Sequence, residues 1–136
     1  MIFQKLKEKF GQSDESGMFC KGDTLAMSLP SVVDLSIYTV LYQSIHSVVN
    51  IDIRYLLLDM SNTRMLCDSG IAAFICLRNL ISQQRLRLLM LDTPAHIYNR
   101  LELVLPDAFW IDTSDAETTD NAEMIRDLIV STVHSQ

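Results

Sequence analysis

Glycine is scarce in this chain, and its placement rules out more chemistry than any motif rules in. Only 4 Gly occur in 136 residues, and Gly70 alone lies beyond Gly22. Neither G-x-G-x-x-G nor G-x-x-x-x-G-K-[ST] fits such a chain, which excludes a Rossmann turn and a P-loop. Proline is as sparse, at 3 residues, so no Pro-rich linker or low-complexity tract is expected. The 3 cysteines, Cys20, Cys67 and Cys76, are odd in number and form no C-x-x-C. They read as reduced, buried, small hydrophobes. His46, His96 and His134 lie far apart with no Cys or His at ligand spacing, so neither a metal nor another cofactor is expected. His46 falls on the polar side of its helix and is expected to be solvated. No signal peptide is visible, and no apolar run approaches the roughly 20 residues of a spanning helix. The expectation is a soluble cytoplasmic domain.

Positive charge is also in short supply. The net charge is -6, and all four lysines (Lys5, Lys7, Lys9, Lys21) fall in the first 21 residues. A nucleic-acid partner is excluded on that ground, because phosphate backbones need clustered Lys and Arg. From Asp107 onward seven acidic residues face a single Arg126. The basic start, MIFQKLKEKF, is too short for firm membrane association. It reads, with the polar loop Gly11–Gly17, as an extension (1–17) ahead of one domain (18–136). At 49% hydrophobic content that domain holds one ordinary core.

Strands are expected at Met18–Lys21 and Thr24–Ser28, joined by a tight turn at Gly22-Asp23. Asp34 is placed to cap a helix over Leu35–Val49. Its apolar face would carry Ile37, Tyr38, Leu41, Ile45, Val48 and Val49. Tyr55–Met60 is apolar at nearly every position, the mark of a strand covered on both faces. A helix over Ser69–Gln84, a buried strand over Leu86–Asp92 and a helix through Val104 follow. The last of these has Thr93 as cap and Pro94 in its first turn. Phe109–Ile111 reads as a short strand, Asp112–Thr119 as a loop and Asp120–Val133 as an amphipathic helix with Met124, Leu128 and Ile129 inward. This alternation predicts an α/β layer fold with a mixed, mostly parallel sheet and helices packed against it.

The segment Tyr55–Ile71, YLLLDMSNTRMLCDSGI, carries the candidate site. An apolar strand ends in Asp59, a polar turn follows, and Asp68-Ser69-Gly70 opens a helix. Backbone N–H groups at a helix start attract negative charge. Asp68 is expected there as an N-cap, with Ser69 exposed in the first turn. Ala73, Phe74, Leu77, Leu80 and Ile81 form the inward stripe. Ile71 and Ile75 project toward the side holding Arg78, Asn79 and Ser82, which reads equally as docking surface or as wide core face. No G-x-S-x-G elbow surrounds Ser69, and no enzymatic activity is expected.

This strand-to-helix segment resembles the central signature of STAS domains, the bacterial anti-sigma-factor antagonist class. There an apolar strand ends in Asp or Asn, and Asp-Ser-Ser/Thr-Gly-Leu opens a helix. TLAMSLPSVVDLSIYTVLYQSI and LRLLMLDTPAHIYNRLELV resemble the flanking parts, so the likeness spans about residues 18–130. It implies a STAS-like domain and a role in signal transduction and transcription regulation. The implied partner is an anti-sigma factor or serine kinase, with a serine phosphatase if the site is phosphorylated. The implied contact set is Asp68, Ser69, Gly70, Ile71, Ile75 and Arg78. The match departs at its centre: Cys67 stands where the family has Asp, and Asp68 where it has the phosphorylated Ser. Ser69 holds the second hydroxyl position, and Gly70 and Ile71 fit. Either Ser69 is a shifted phosphorylation site or Asp68 is a standing negative charge. STAS-like single domains also serve as accessory subunits of lipid-transporting ATP-binding cassette systems, which the missing Ser would suit.

Overall fold

The structure is a computed structural model and describes residues 18–21, 23–47 and 53–112. Strands β1 (Met18–Lys21) and β2 (Thr24–Ser28) form with their expected bounds. They pair antiparallel with Lys21 opposite Thr24, the register of a two-residue hairpin. Strand β3 (Val32–Val33) precedes helix α1 (Ser36–Ser47), and β4 (Tyr55–Asp59) follows it. Then come β5 (Met65–Leu66), helix α2 (Asp68–Gln84), β6 (Arg87–Leu91), helix α3 (Ala95–Leu101) and β7 (Phe109–Ile111).

The main sheet runs β1-β2-β4-β6-β7. β2, β4, β6 and β7 are parallel, so each crossover between them carries a helix. Alternate side chains divide the sheet into two faces. Leu25, Met27, Leu56, Leu58, Leu88 and Met90 join one core cluster with Ile37, Leu41 and Ile45 of α1, Phe74 and Leu77 of α2, and Ile97 and Leu101 of α3. On the other face Ala26, Leu57, Leu89 and Leu91 are buried as well. Burial on both sides explains why β4 and β6 carry unbroken apolar runs rather than alternating ones. The inward stripe of α2 is as expected: Ala73, Phe74, Leu77, Leu80 and Ile81 are all buried.

Several details differ from the expectation. Helix α1 spans Ser36–Ser47, so Leu35 precedes it, and Val48 and Val49 lie outside the described residues. Asp34 does cap it: Oδ1 accepts from the Ser36 N–H at 2.9 Å and the Ser36 hydroxyl at 2.5 Å. Those bonds, the hydroxyl's first, hold the Asp34 carboxyl below its ordinary range. Pro94, not Thr93, is the N-cap of α3. Its extended ψ of 146° keeps it out of the first turn, and its carbonyl accepts from Ile97 and Tyr98. That helix ends at Leu101 and continues as turns to Val104. Cys76 is exposed and Cys20 and Cys67 are half-buried, so the cysteines are free but not core residues. Burial and the nearby Asp23 push the Cys20 thiol up. The helix expected at 120–133, the loop beyond Asp112 and the extension 1–17 fall outside the described residues.

Strand β4 delivers Asp59 into the interior at 1% exposure. Its Oδ1 accepts from the Ser61 N–H at 3.1 Å, and Oδ2 lies 3.4 Å from the Ser28 hydroxyl. Burial pushes this carboxyl up from its ordinary value against those bonds, with Asp92 adding in the same direction. The native carboxyl therefore holds its proton more tightly than the unfolded one. Its effect on stability turns unfavourable as pH rises from about 3.9 through the native value, and the cost persists at neutral pH. Asp59→Asn removes the charge and keeps an acceptor for Ser61. Urea unfolding at about pH 4.5 and 7.5 should show the variant gaining on wild type at the higher pH. A relative loss there would contradict this reading of Asp59.

Candidate functional site

The start of α2 is held by a two-stranded ribbon that the sequence reading missed. β3 and β5 pair in parallel, Val32 with Met65 and Val33 with Leu66. The inward members, Val33 and Leu66, are buried, whereas Val32 and Met65 stay 47% and 56% exposed. The ribbon is pinned upstream by the Thr63 hydroxyl donating to the Pro30 carbonyl at 2.9 Å. The Arg64 and Met65 N–H groups both donate to Ser31 O. Downstream, the Cys67 N–H donates to Val33 O at 3.0 Å. That bond keeps Cys67 extended, with φ -72° and ψ 161°, and makes it the N-cap in place of Asp68. Its carbonyl accepts from Gly70 and Ile71, while its side chain makes no capping bond.

Asp68 is consequently the first helical residue, with its side chain 98% exposed. Its charge still favours the helix start. Ser69 is exposed in the first turn, as expected, and its hydroxyl accepts the Leu35 N–H at 3.2 Å. This bond ties the start of α2 to the approach of α1. Gly70 is buried beneath the ribbon. A Cβ there would lie 2.8 Å from Leu66 Cδ1 and well inside contact distance of the Val33 carbonyl oxygen. Gly70 is thus required by close approach of backbone, and it supports the edge without being presented on it.

Arg100 of α3 completes the corner, and no spacing in the sequence points to it. Its Nη2 donates to Asp68 Oδ1 at 2.7 Å, and its Nη1 donates to the Leu66 carbonyl. Nearby His96 Nε2 donates to Arg64 O at 2.9 Å. Leu35, 52% exposed, joins Val32 and Met65 as an apolar rim around Asp68 and Ser69.

The six expected contact residues are only partly brought together. Asp68 and Ser69 share the exposed corner. Ile71 is half-buried against the core, and Ile75 is exposed one turn further on. Arg78 lies ten residues down α2, about 15 Å away. It donates to Val104 O at 2.9 Å. His46 is exposed, with its ring 4.1 Å from that of Tyr42. Among the described residues no three His, Cys, Asp or Glu side chains are grouped to hold a metal ion. Among them, too, no helix is long and apolar enough to cross a membrane.

No protein-family model matches the chain, and no curated protein matches it. Solved structures do. A variant of RsbS from Moorella thermoacetica is similar with a TM-score of 0.59 and 12% identity, over 72% of this chain and 86% of that one. The anti-sigma factor antagonist SpoIIAA in its unphosphorylated form is similar with a TM-score of 0.57 and 10% identity, over 74% and 90%. The murine anion transporter Slc26a9 is similar with a TM-score of 0.51 and 16% identity, over 75% of this chain but 16% of the transporter. The chain has the fold of the STAS-domain anti-sigma-factor antagonists.

Proposed function

We propose that the chain is a non-enzymatic regulatory module that docks on an anti-sigma factor or serine kinase. Contact is through Asp68 and Ser69 at the start of α2, with Gly70 packed beneath them. One observation carries the reading: a hydroxyl and a carboxylate stand exposed at the start of α2 within an apolar rim of Val32, Leu35 and Met65. Apolar rim residues supply the area that a partner buries, and the polar pair makes affinity sensitive to charge. SpoIIAA, which shares the fold, is an anti-sigma factor antagonist. Ser69 is the exposed hydroxyl at the helix start itself. A phosphate there would add nearly two negative charges and displace the hydroxyl from the Leu35 N–H.

Intact-mass analysis of protein from its native host, with partners captured in the same pulldown, tests the reading. A kinase-type partner is expected, and a species about 80 Da heavier maps to Ser69 if phosphate is the switch. Ser69→Glu should weaken capture at least about tenfold. Unchanged capture by that variant would contradict the assignment of this edge. A second reading, an accessory subunit in constant contact with the ATPase of a lipid-transporting ATP-binding cassette system, suits Asp68 standing where the resembled family has its phosphorylated Ser. Co-purification with an ATPase and a single unmodified mass would favour it.

A further inference from the structure

We infer that Arg100 sets the charge of the docking edge: it neutralises Asp68, so position 68 carries an ion pair and not a standing mimic of phosphate. The inference rests on the reading above. Three observations lead to it. Asp68 stands almost fully in solvent, yet its carboxylate is held at 2.7 Å by Arg100. Arg100 is itself anchored, because its second terminal nitrogen donates to the Leu66 carbonyl within the ribbon. Three apolar residues of the adjoining segments, Val32, Leu35 and Met65, are exposed as well.

A partner that covers this rim takes water away from Asp68. An unpaired carboxylate resists that strongly, whereas one already bonded to a guanidinium resists less. Arg100 is therefore a positioning residue. It makes an acidic residue tolerable inside an interface that would otherwise reject it. The planar guanidinium reaches the carboxylate and the carbonyl at once, which a lysine ammonium does with poorer geometry.

Affinity for the purified, captured partner across four chains tests this. Arg100→Gln should weaken binding at least about tenfold, and Arg100→Lys by less. Asp68→Asn leaves the Arg100 guanidinium without its carboxylate and should also weaken binding, whereas Asp68→Asn/Arg100→Gln should return to within about threefold of wild type. A merely structural role for Arg100 would not be repaired by removing the carboxylate that it holds. Melting temperatures should agree within about 2 °C, since exposed pairs contribute little to stability. Wild-type affinity in Arg100→Gln, or a double variant as weak as Arg100→Gln, would overturn the inference and leave the docking site standing. Loss of the docking site would look different: Ser69→Glu and Arg100→Gln would both bind as wild type.

Discussion

Phe74→Ala should destabilise the protein by about 3–5 kcal/mol. Phe74 is fully buried at the centre of the stripe that α2 presents to the sheet. Truncation removes the ring's transfer free energy and leaves a cavity among neighbours on α1, α2 and the sheet that relax only in part. The loss is expected as a lower urea midpoint with an unchanged slope. Docking by the fraction that remains folded should be near normal, because Phe74 faces away from the edge. A loss below about 1 kcal/mol would mean that α2 is not packed on the sheet in this way.

Gly70→Val acts on fold and function together. The first added carbon already meets the Val33 carbonyl, a backbone atom fixed by its bond from Cys67. Neither side of that contact is the free end of a flexible side chain. Either α2 shifts away from the ribbon or the β3–β5 pairing opens. The expected cost is about 3 kcal/mol, the upper range for overpacking. Even where the variant stays folded, the shift moves Ser69 from Leu35 and Asp68 from Arg100, so docking should fall with stability. Thermal unfolding and affinity measured on one preparation check this. A variant as stable as wild type would show that the close approach at Gly70 does not exist.

Most of the fold was legible because its strongest elements announce themselves over many residues. β4 and β6 each carry four consecutive apolar residues, and α2 keeps its period for 17 residues. The ribbon was not legible, because a two-residue strand is too short for any alternation to register. Missing it cost the correct cap, since only the bond from Cys67 to Val33 explains why Asp68 falls inside the helix. Ser69 was read correctly as exposed in the first turn. Its tie to Leu35 spans 34 residues and has no local signature. Arg100 was invisible for the same reason, 32 residues from the carboxylate that it pairs with. Cys76 sits in an apolar run yet faces solvent, because on a helix the face and not the run decides burial. Val32, Leu35 and Met65 invert that case: they look like core in sequence and form the rim of the site.

Amide shift mapping of the isotope-labelled chain, titrated with its captured partner, locates the docking edge residue by residue. Shifts should concentrate on Val32 to Leu35, Arg64 to Ala72 and Arg100, with little change at the opposite end around Arg85 to Arg87. Shifts gathered at that far end, with Asp68 to Gly70 unmoved, would contradict docking at this edge.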